Sequence, residues 1–490
     1  MLGKLQFTYM ENKDALVQAF IRKSILHAPD RFKSYIYNEA GKPYHRRFAY
    51  DRYDKYANDF REGSSANRFI IAPGLRGTGK TTIVGQLYND LLRKGVDEER
   101  MLYVSMDEAM GTLGCTITDI VRGYEQFLSM NIEMLVERNE RIYLFIDEAH
   151  HDPDWSLRLK VVYDRSRNVF IFVTGSSAIA LTFNADVARR ATVVDLLPMS
   201  YPEYNLLKDY VQPPSGMSER LASALYASSS AREAYDRLAE AKPPVNEYLI
   251  KVGLMQLNEY LKLGSLPFAI PMKEEREVYD SVSSMIEKVI YKDLGTIGKF
   301  DRGTQLKIMN LLTLLAINDR TNLNKLTSDL GLSRPTLIEC IDALEKAGLI
   351  LRVWPHGSSS AHIRKTPKYK FAAPVIRATM LWRVGELSTH EMYGALLEDV
   401  VAMYLHRAVA SDQIRGFEFD PDDNSADFIV TARDGSQIVI EAGYGHKDTE
   451  QVRNSMAHCN AKYCIVISND LLELRDEKIL VVSRELFLLS

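Results

Sequence analysis

The sequence predicts an α/β protein: a parallel-sheet core, then a helical connector, a helix-turn-helix unit with a wing, and a smaller terminal α/β unit. Three observations carry this prediction. Short apolar runs at 69–72, 101–106, 142–146, 169–173 and 192–196 are separated by stretches that can each hold a helix, the pattern of buried parallel strands with crossover helices. The first run breaks at Pro73-Gly74 and passes into helical spacing over 81–93. Strand signals fade after Pro198, return as a pair behind a two-helix pattern, and return again towards the end of the chain.

Composition bounds the function. A chain of 490 residues holds roughly three domains of ordinary size. Hydrophobic residues at 46% and charged ones at 26% exclude wholesale disorder. No run approaches 18 apolar residues, and the first twenty residues contain acids but no apolar signal core, so the expectation is a soluble, cytoplasmic protein with no membrane partner. Cys115, Cys340, Cys459 and Cys464 lack CxxC spacing, which argues against a disulfide framework or structural zinc. A net charge of -4 argues against coating nucleic acid over the whole surface and leaves room for a local basic patch.

The elements follow in order. Residues 1–66 read as an N-terminal helical lead-in, with Ala15, Phe20, Ile21 and Ile25 at helical spacing. Residues 67–202 form the core. Residues 203–302 read as a helical lid or connector, interrupted at Pro213-Pro214 and Pro243-Pro244. In 303–385 a helix over 323–330, a turn at Gly331 and a helix over 333–347 with Leu337, Ile341 and Leu344 on one face precede strands near 349–354 and 368–371, the pattern of a winged helix-turn-helix. Residues 386–490 begin with an apolar helix over 396–405 and continue as strands at 428–431, 437–441 and 463–467.

The chemistry is concentrated in 67–202. Gly74-Leu-Arg-Gly77-Thr78-Gly79-Lys80-Thr81 fits GxxxxGK[ST], in which backbone N–H groups wrap phosphates, the lysine neutralises their outer oxygens and the hydroxyl residue binds Mg²⁺. The motif follows a strand and opens a helix at Thr81-Thr82, whose N-terminal dipole meets the anion. This marks a P-loop NTPase core with ATP and Mg²⁺ as cofactors. Asp147 and Glu148 end the third apolar run, where Asp147 holds magnesium and Glu148 orients the attacking water. Asp147-Glu148-Ala149-His150 also spells the DEAH box of helicases, but no later Gln-Arg-x-Gly-Arg segment marks a second helicase core; His150 and His151 read as loop groups. The fourth run ends in Thr174-Gly175-Ser176-Ser177, where a hydroxyl, taken as that of Ser176, sits between the two sites and senses the γ-phosphate. Arg189 and Arg190 precede the fifth run, and an arginine there can stabilise transition-state charge, within one copy or across a homo-oligomer.

Together with Leu196-Leu197-Pro198-Met199-Ser200-Tyr201-Pro202-Glu203, these residues resemble a prokaryotic branch of the AAA-superfamily ATPases. That family carries its arginine a fixed distance before a Leu-x-Pro-Leu-Ser-Phe-x-Glu segment, which the resemblance places at Arg190, and it usually has Gly-Arg where this chain has Arg189-Arg190. Leu263-Gly-Ser-Leu-Pro267, Tyr291-Lys-Asp-Leu294 and Gly394-Ala-Leu-Leu-Glu398 extend the likeness over about 68–490. Its members end in a domain similar to PD-(D/E)xK restriction nucleases. The resemblance implies a second, metal-binding site of Glu398, Asp427 and Glu441; Gly443 stands where the nuclease lysine belongs, and Lys447 lies four residues on. The expectation is therefore a nuclease-like fold without cleavage activity.

Eight Lys or Arg residues and no acids lie between Lys346 and Arg383. Arg364, Lys365, Lys368 and Lys370 fall on the expected wing and Arg334 at the start of the second helix, which makes DNA the expected partner, with protein contact as the alternative. The function expected is a Mg²⁺-dependent ATPase acting as a nucleotide-driven switch or motor on DNA. An ATP-gated, metal-dependent DNA nuclease and a non-enzymatic adaptor that merely holds nucleotide remain as alternatives.

Overall fold

The computed structural model describes residues 2–176, 185–253, 256–294, 300–318, 322–357, 366–386, 390–422, 424–444 and 450–490. It comprises two compact units, Met1–Leu196 and Leu197–Ser490.

The first unit is a three-layer sandwich. Its strands β1 (Phe69–Pro73), β2 (Met101–Ser105), β3 (Ile142–Asp147), β4 (Val169–Gly175) and β5 (Thr192–Val193) form one parallel sheet in the order β2-β3-β4-β1-β5. The fifth strand is shorter than the run at 192–196, although Val194 and Leu196 still donate to the carbonyls of Ile71 and Pro73. Alternation decides which face each residue serves. Phe69 and Ile71 enter one core with residues of helices α4 (Met106–Leu113), α5 (Ile117–Phe127) and α6 (Trp155–Arg165). Ile70 and Ala72 enter the other, with α2 (Tyr50–Arg61) and α3 (Lys80–Arg93).

The helix α1 (Leu2–Ile36) serves both cores, through Val17, Ile21 and Ile25 on one side and Ala28 and Phe32 on the other. Glycines make this packing close: a Cβ at Gly123 would lie 2.5 Å from Val17, and one at Gly85 2.7 Å from Phe32. The N-terminal residues are thus part of the sandwich's hydrophobic interior.

In the second unit, strands β6 (Ile350–Val353) and β7 (Lys368–Phe371) form an antiparallel hairpin after the helices Arg302–Ile317, Leu323–Leu330 and Arg334–Lys346. A six-stranded mixed sheet follows, containing β8 (Ile414–Glu418), β9 (Phe428–Ala432), β10 (Gln437–Ala442), β11 (Tyr463–Ser468), β12 (Glu473–Asp476) and β13 (Ile479–Ser483) in the order β12-β13-β11-β10-β9-β8. One sheet face packs on residues of the helix His390–Ala410 and of the helices between 201 and 263. The other packs on Val452 of the helix Glu450–Cys459.

One expectation requires correction. The helix Ala231–Val252 runs through Pro243-Pro244 without ending. Both prolines are exposed, so water can satisfy the carbonyls that lose their N–H partners. The Leu197–Glu203 segment is a helix entry. Ser200 caps the helix Tyr201–Asp209, and Glu203 accepts from the Ser200 N–H at 3.0 Å, a reciprocal capping box. Among the described residues, no helix is long and apolar enough to cross a membrane.

Candidate functional site

The strand order places the P-loop after β1 and the acidic pair after β3, with only the end of β4 between them. Gly77 and Gly79 hold φ values of 89° and 90°, which glycine adopts without penalty. The constraint at Gly74 is different: a Cβ there would lie 2.6 Å from the Leu196 carbonyl oxygen, so the close approach is to the segment beyond β5. Thr78 folds back to donate its hydroxyl to the Leu75 carbonyl at 2.8 Å. Buried Arg47 donates to the Thr78 carbonyl at 2.8 Å, bracing the loop from a part of the chain that carries no motif.

Lys80 begins α3 and is 6% exposed; its ammonium donates to the carbonyls of Gly74 and Leu75 at 2.8 and 3.2 Å. Thr81 occupies the next position, with its hydroxyl 2.9 Å from Asp147 Oδ2, and Thr82 is half-buried beside it in the same helical turn. Asp147 gathers three hydroxyls in all. Tyr103 on β2 donates to Oδ2 at 3.0 Å, and Thr174 at the end of β4 donates to Oδ1. Burial pushes the Asp147 carboxyl above its usual range, adjacent Glu148 adds to the rise, and the three hydroxyls oppose it. Glu148 has left-handed backbone angles (φ 52°, ψ 44°), and its N–H donates to Thr174 Oγ1 at 3.2 Å. His150 Nδ1 lies 3.4 Å from Glu148 Oε2. A non-glycine residue in this region is uncommon and marks a place where the surrounding fold imposes the conformation.

The hydroxyl between loop and acid pair is thus that of Thr174. Ser176 is buried two residues further on. Tyr103 and Arg47 were not among the candidates: a tyrosine inside an apolar run reads as core, and an arginine in a polar lead-in reads as surface. Arg190 lies elsewhere. It donates to Asp164 at 2.8 Å and to the Asp186 carbonyl at 2.7 Å, two residues before Thr192, whose hydroxyl meets Asn67 just ahead of β1. That is the sheet end opposite the P-loop.

A second cluster lies in the other unit. Pairing of Ile440 with Phe428 sets Glu441 across from Asp427, and the Asp427 N–H donates to Glu441 Oε2 at 3.2 Å. The Ala442 N–H donates to Asp427 Oδ2 at 2.9 Å. Burial, then Glu398, then Glu441 hold the Asp427 carboxyl well above the usual carboxylate range. The three acids are therefore brought together. Lys447 lies outside the described residues.

The candidate DNA residues fare unevenly. Arg334 is exposed in the first turn of its helix behind the Ser333 cap. Lys368 is half-buried, its ammonium 4.7 Å from the centre of the Phe419 ring. Arg364 and Lys365 lie outside the described residues. Lys370 does not belong on a DNA-facing surface: it is 2% exposed and its ammonium lies 2.5 Å from Glu398 Oε2. The basic cluster is in large part internally neutralised, since Arg352 pairs with Asp342 and Glu345, Arg377 with Asp399, and Arg383 with Glu287.

A family model described as an AAA domain matches residues 66–205, and one described as a domain of unknown function (DUF8612) matches 254–384. The uncharacterized protein MJ1637 of Methanocaldococcus jannaschii is 34% identical over 434 residues, covering 87% of this chain and 86% of its own. The Walker-type ATPase PABY2304 of Pyrococcus abyssi is 14% identical, with a TM-score of 0.39 over 67% of this chain and 95% of its own. The ORC1 protein of Aeropyrum pernix, solved in complex with DNA, is 14% identical, with a TM-score of 0.29 over 70% and 94%.

Proposed function

Because the chain belongs to the family of Methanocaldococcus jannaschii MJ1637 and carries an AAA-type P-loop ATPase domain, we propose that it is a Mg²⁺-dependent ATPase working as a nucleotide-driven switch or motor on DNA. The observation that carries this reading is the position of Asp147. A buried carboxylate beside a second acid is costly without a cation, and one of its three hydroxyl partners belongs to the residue that follows the P-loop lysine. The donor set suits a hard, oxygen-seeking cation: Thr81 and Asp147 offer only oxygens.

In this reading, Gly77, Thr78 and Gly79 offer backbone N–H groups to the phosphates, and Lys80 exchanges its two carbonyl partners for phosphate oxygens. Magnesium, held by Thr81 and Asp147, would neutralise phosphate charge there. Glu148, oriented by its imposed backbone and by Thr174, accepts the hydrogen bond of the attacking water. Arg190 acts on the site of a neighbouring copy, since its own chain holds it at the far end of the sheet. DNA is met by Arg334, by Lys368 and by the wing residues Arg364 and Lys365.

Lys80→Ala is expected to abolish ATP binding, whereas Glu148→Gln keeps binding and lowers multiple-turnover phosphate release by about 10²-fold or more. Undiminished turnover in Glu148→Gln rejects the water-orienting role. A wild-type protein that binds ATP and releases no phosphate is the non-enzymatic adaptor.

One observation favours a second activity. Glu398, Asp427 and Glu441 converge across β9, β10 and the helix His390–Ala410, a set of oxygen ligands suited to a divalent cation in phosphodiester hydrolysis. Cleavage of DNA in Mg²⁺ or Mn²⁺ that disappears in Asp427→Asn is the test.

A further inference from the structure

The carboxylate centre has no lysine on its own strand, because Gly443 stands at that position. The fold brings one from elsewhere. Lys370 lies on β7, its ammonium 2.5 Å from Glu398 Oε2 and its side chain 2% exposed. Lysine ordinarily keeps its head group in water, so a lysine driven this far inside is answering a local excess of negative charge.

The approach is fixed by neighbouring contacts. The Phe371 N–H donates to Asp399 Oδ1 at 2.9 Å, so consecutive residues of β7 engage consecutive residues of the helix His390–Ala410. Arg377 clasps the same Asp399 through Nε at 2.5 Å and Nη2 at 3.0 Å, and its Nη1 donates to the Ala316 carbonyl at 2.9 Å. Both members of that ion pair are fully buried. A slip of β7 by one residue would break the Lys370 and Phe371 contacts together.

We propose that Lys370, carried in on the second strand of the hairpin, is the lysine of this carboxylate centre and acts as a positioning residue through Glu398. The proposal rests on the nuclease reading above. The reaction is hydrolysis of a phosphodiester: the oxygen of water bonds to phosphorus, one P–O ester bond breaks with its electron pair going to the leaving oxygen, and the proton given up by the water reaches that oxygen through solvent. Lys370 holds Glu398 in the orientation this step needs. Hairpin and terminal sheet then form one site, although the sequence separates them.

The test uses the full-length protein, supercoiled plasmid as substrate, and titration calorimetry with Mn²⁺ in the absence of DNA. Wild type is expected to bind Mn²⁺ and nick plasmid. Lys370→Met should retain Mn²⁺ binding, since the carboxylates are intact, while cleaving about 10²-fold more slowly. Lys370→Arg should recover part of that loss and keeps the test usable if the methionine variant does not fold. Asp427→Asn should lose both Mn²⁺ binding and cleavage. Cleavage at the wild-type rate in Lys370→Met, or in Lys370→Arg and Glu398→Gln, overturns the assignment of Lys370 and leaves the nuclease reading standing. A wild type that cuts no DNA removes the nuclease reading and the proposal with it. Mn²⁺ binding that is absent in wild type and gained in Lys370→Met places the ammonium where the cation would sit, and that also overturns the proposal.

Discussion

In the proposed nucleotide site, one acidic side chain is held more tightly than its neighbours. Asp147 is 4% exposed, next to a second acid, and held by three hydroxyls from three elements. Its carboxyl retains a proton to higher pH than the value of 3.8 that applies in the unfolded chain. With the folded value raised, its contribution to stability is fully present below 3.8 and is lost as pH rises through the folded value. Asp147→Asn should therefore flatten the decline in nucleotide-free melting temperature above that pH, as measured by calorimetric scans across a pH series. An unchanged slope would mean that Asp147 is ionised in both states. Gly74 gives a second prediction at this scale. Gly74→Ala drives a Cβ towards the Leu196 carbonyl and should cost about 1–3 kcal/mol in chemical unfolding, without any effect on the φ-dependent turns at Gly77 and Gly79.

Among the elements, legibility follows burial pattern. The strands β1 to β4 announce themselves because both faces of each are covered, which makes their sequences continuous apolar runs. β8 and β12 escape because Ile-Arg-Gly-Phe-Glu and Glu-Leu-Arg-Asp are half-exposed edge strands with polar residues. β13, Ile479-Leu-Val-Val-Ser, carries a signal as clear as those of the core. Lys370 was illegible for another reason. A lysine on a short strand between Lys368 and Phe371 reads as surface, and the acid that draws it inward lies 28 residues away. The same holds for Arg377, whose buried partner Asp399 joins the hairpin to the helix His390–Ala410. Asp399→Asn leaves a buried guanidinium uncompensated and should cost about 3–5 kcal/mol. A loss below about 1 kcal/mol in urea unfolding would show that the pair does not fix the hairpin.

For the whole molecule, the position of Arg190 is the feature that bears on assembly. Held by Asp164 and the Asp186 carbonyl at the far end of the sheet, it serves a nucleotide only if another copy presents one. Mixing Arg190→Ala with Lys80→Ala should then restore phosphate release. Mixed sites pair an intact loop from one chain with an intact arginine from the other, whereas each variant alone is inactive. No recovery in the mixture would return Arg190 to a structural role as the partner of Asp164. Central to the proposed function is a metal-bound triphosphate between the P-loop and Asp147. Titration calorimetry with ATP and Mg²⁺ tests this most directly: saturable binding to wild type, abolished in Lys80→Ala and weakened in Asp147→Asn only when Mg²⁺ is present, is the predicted result, and ATP binding that Lys80→Ala leaves intact would contradict it.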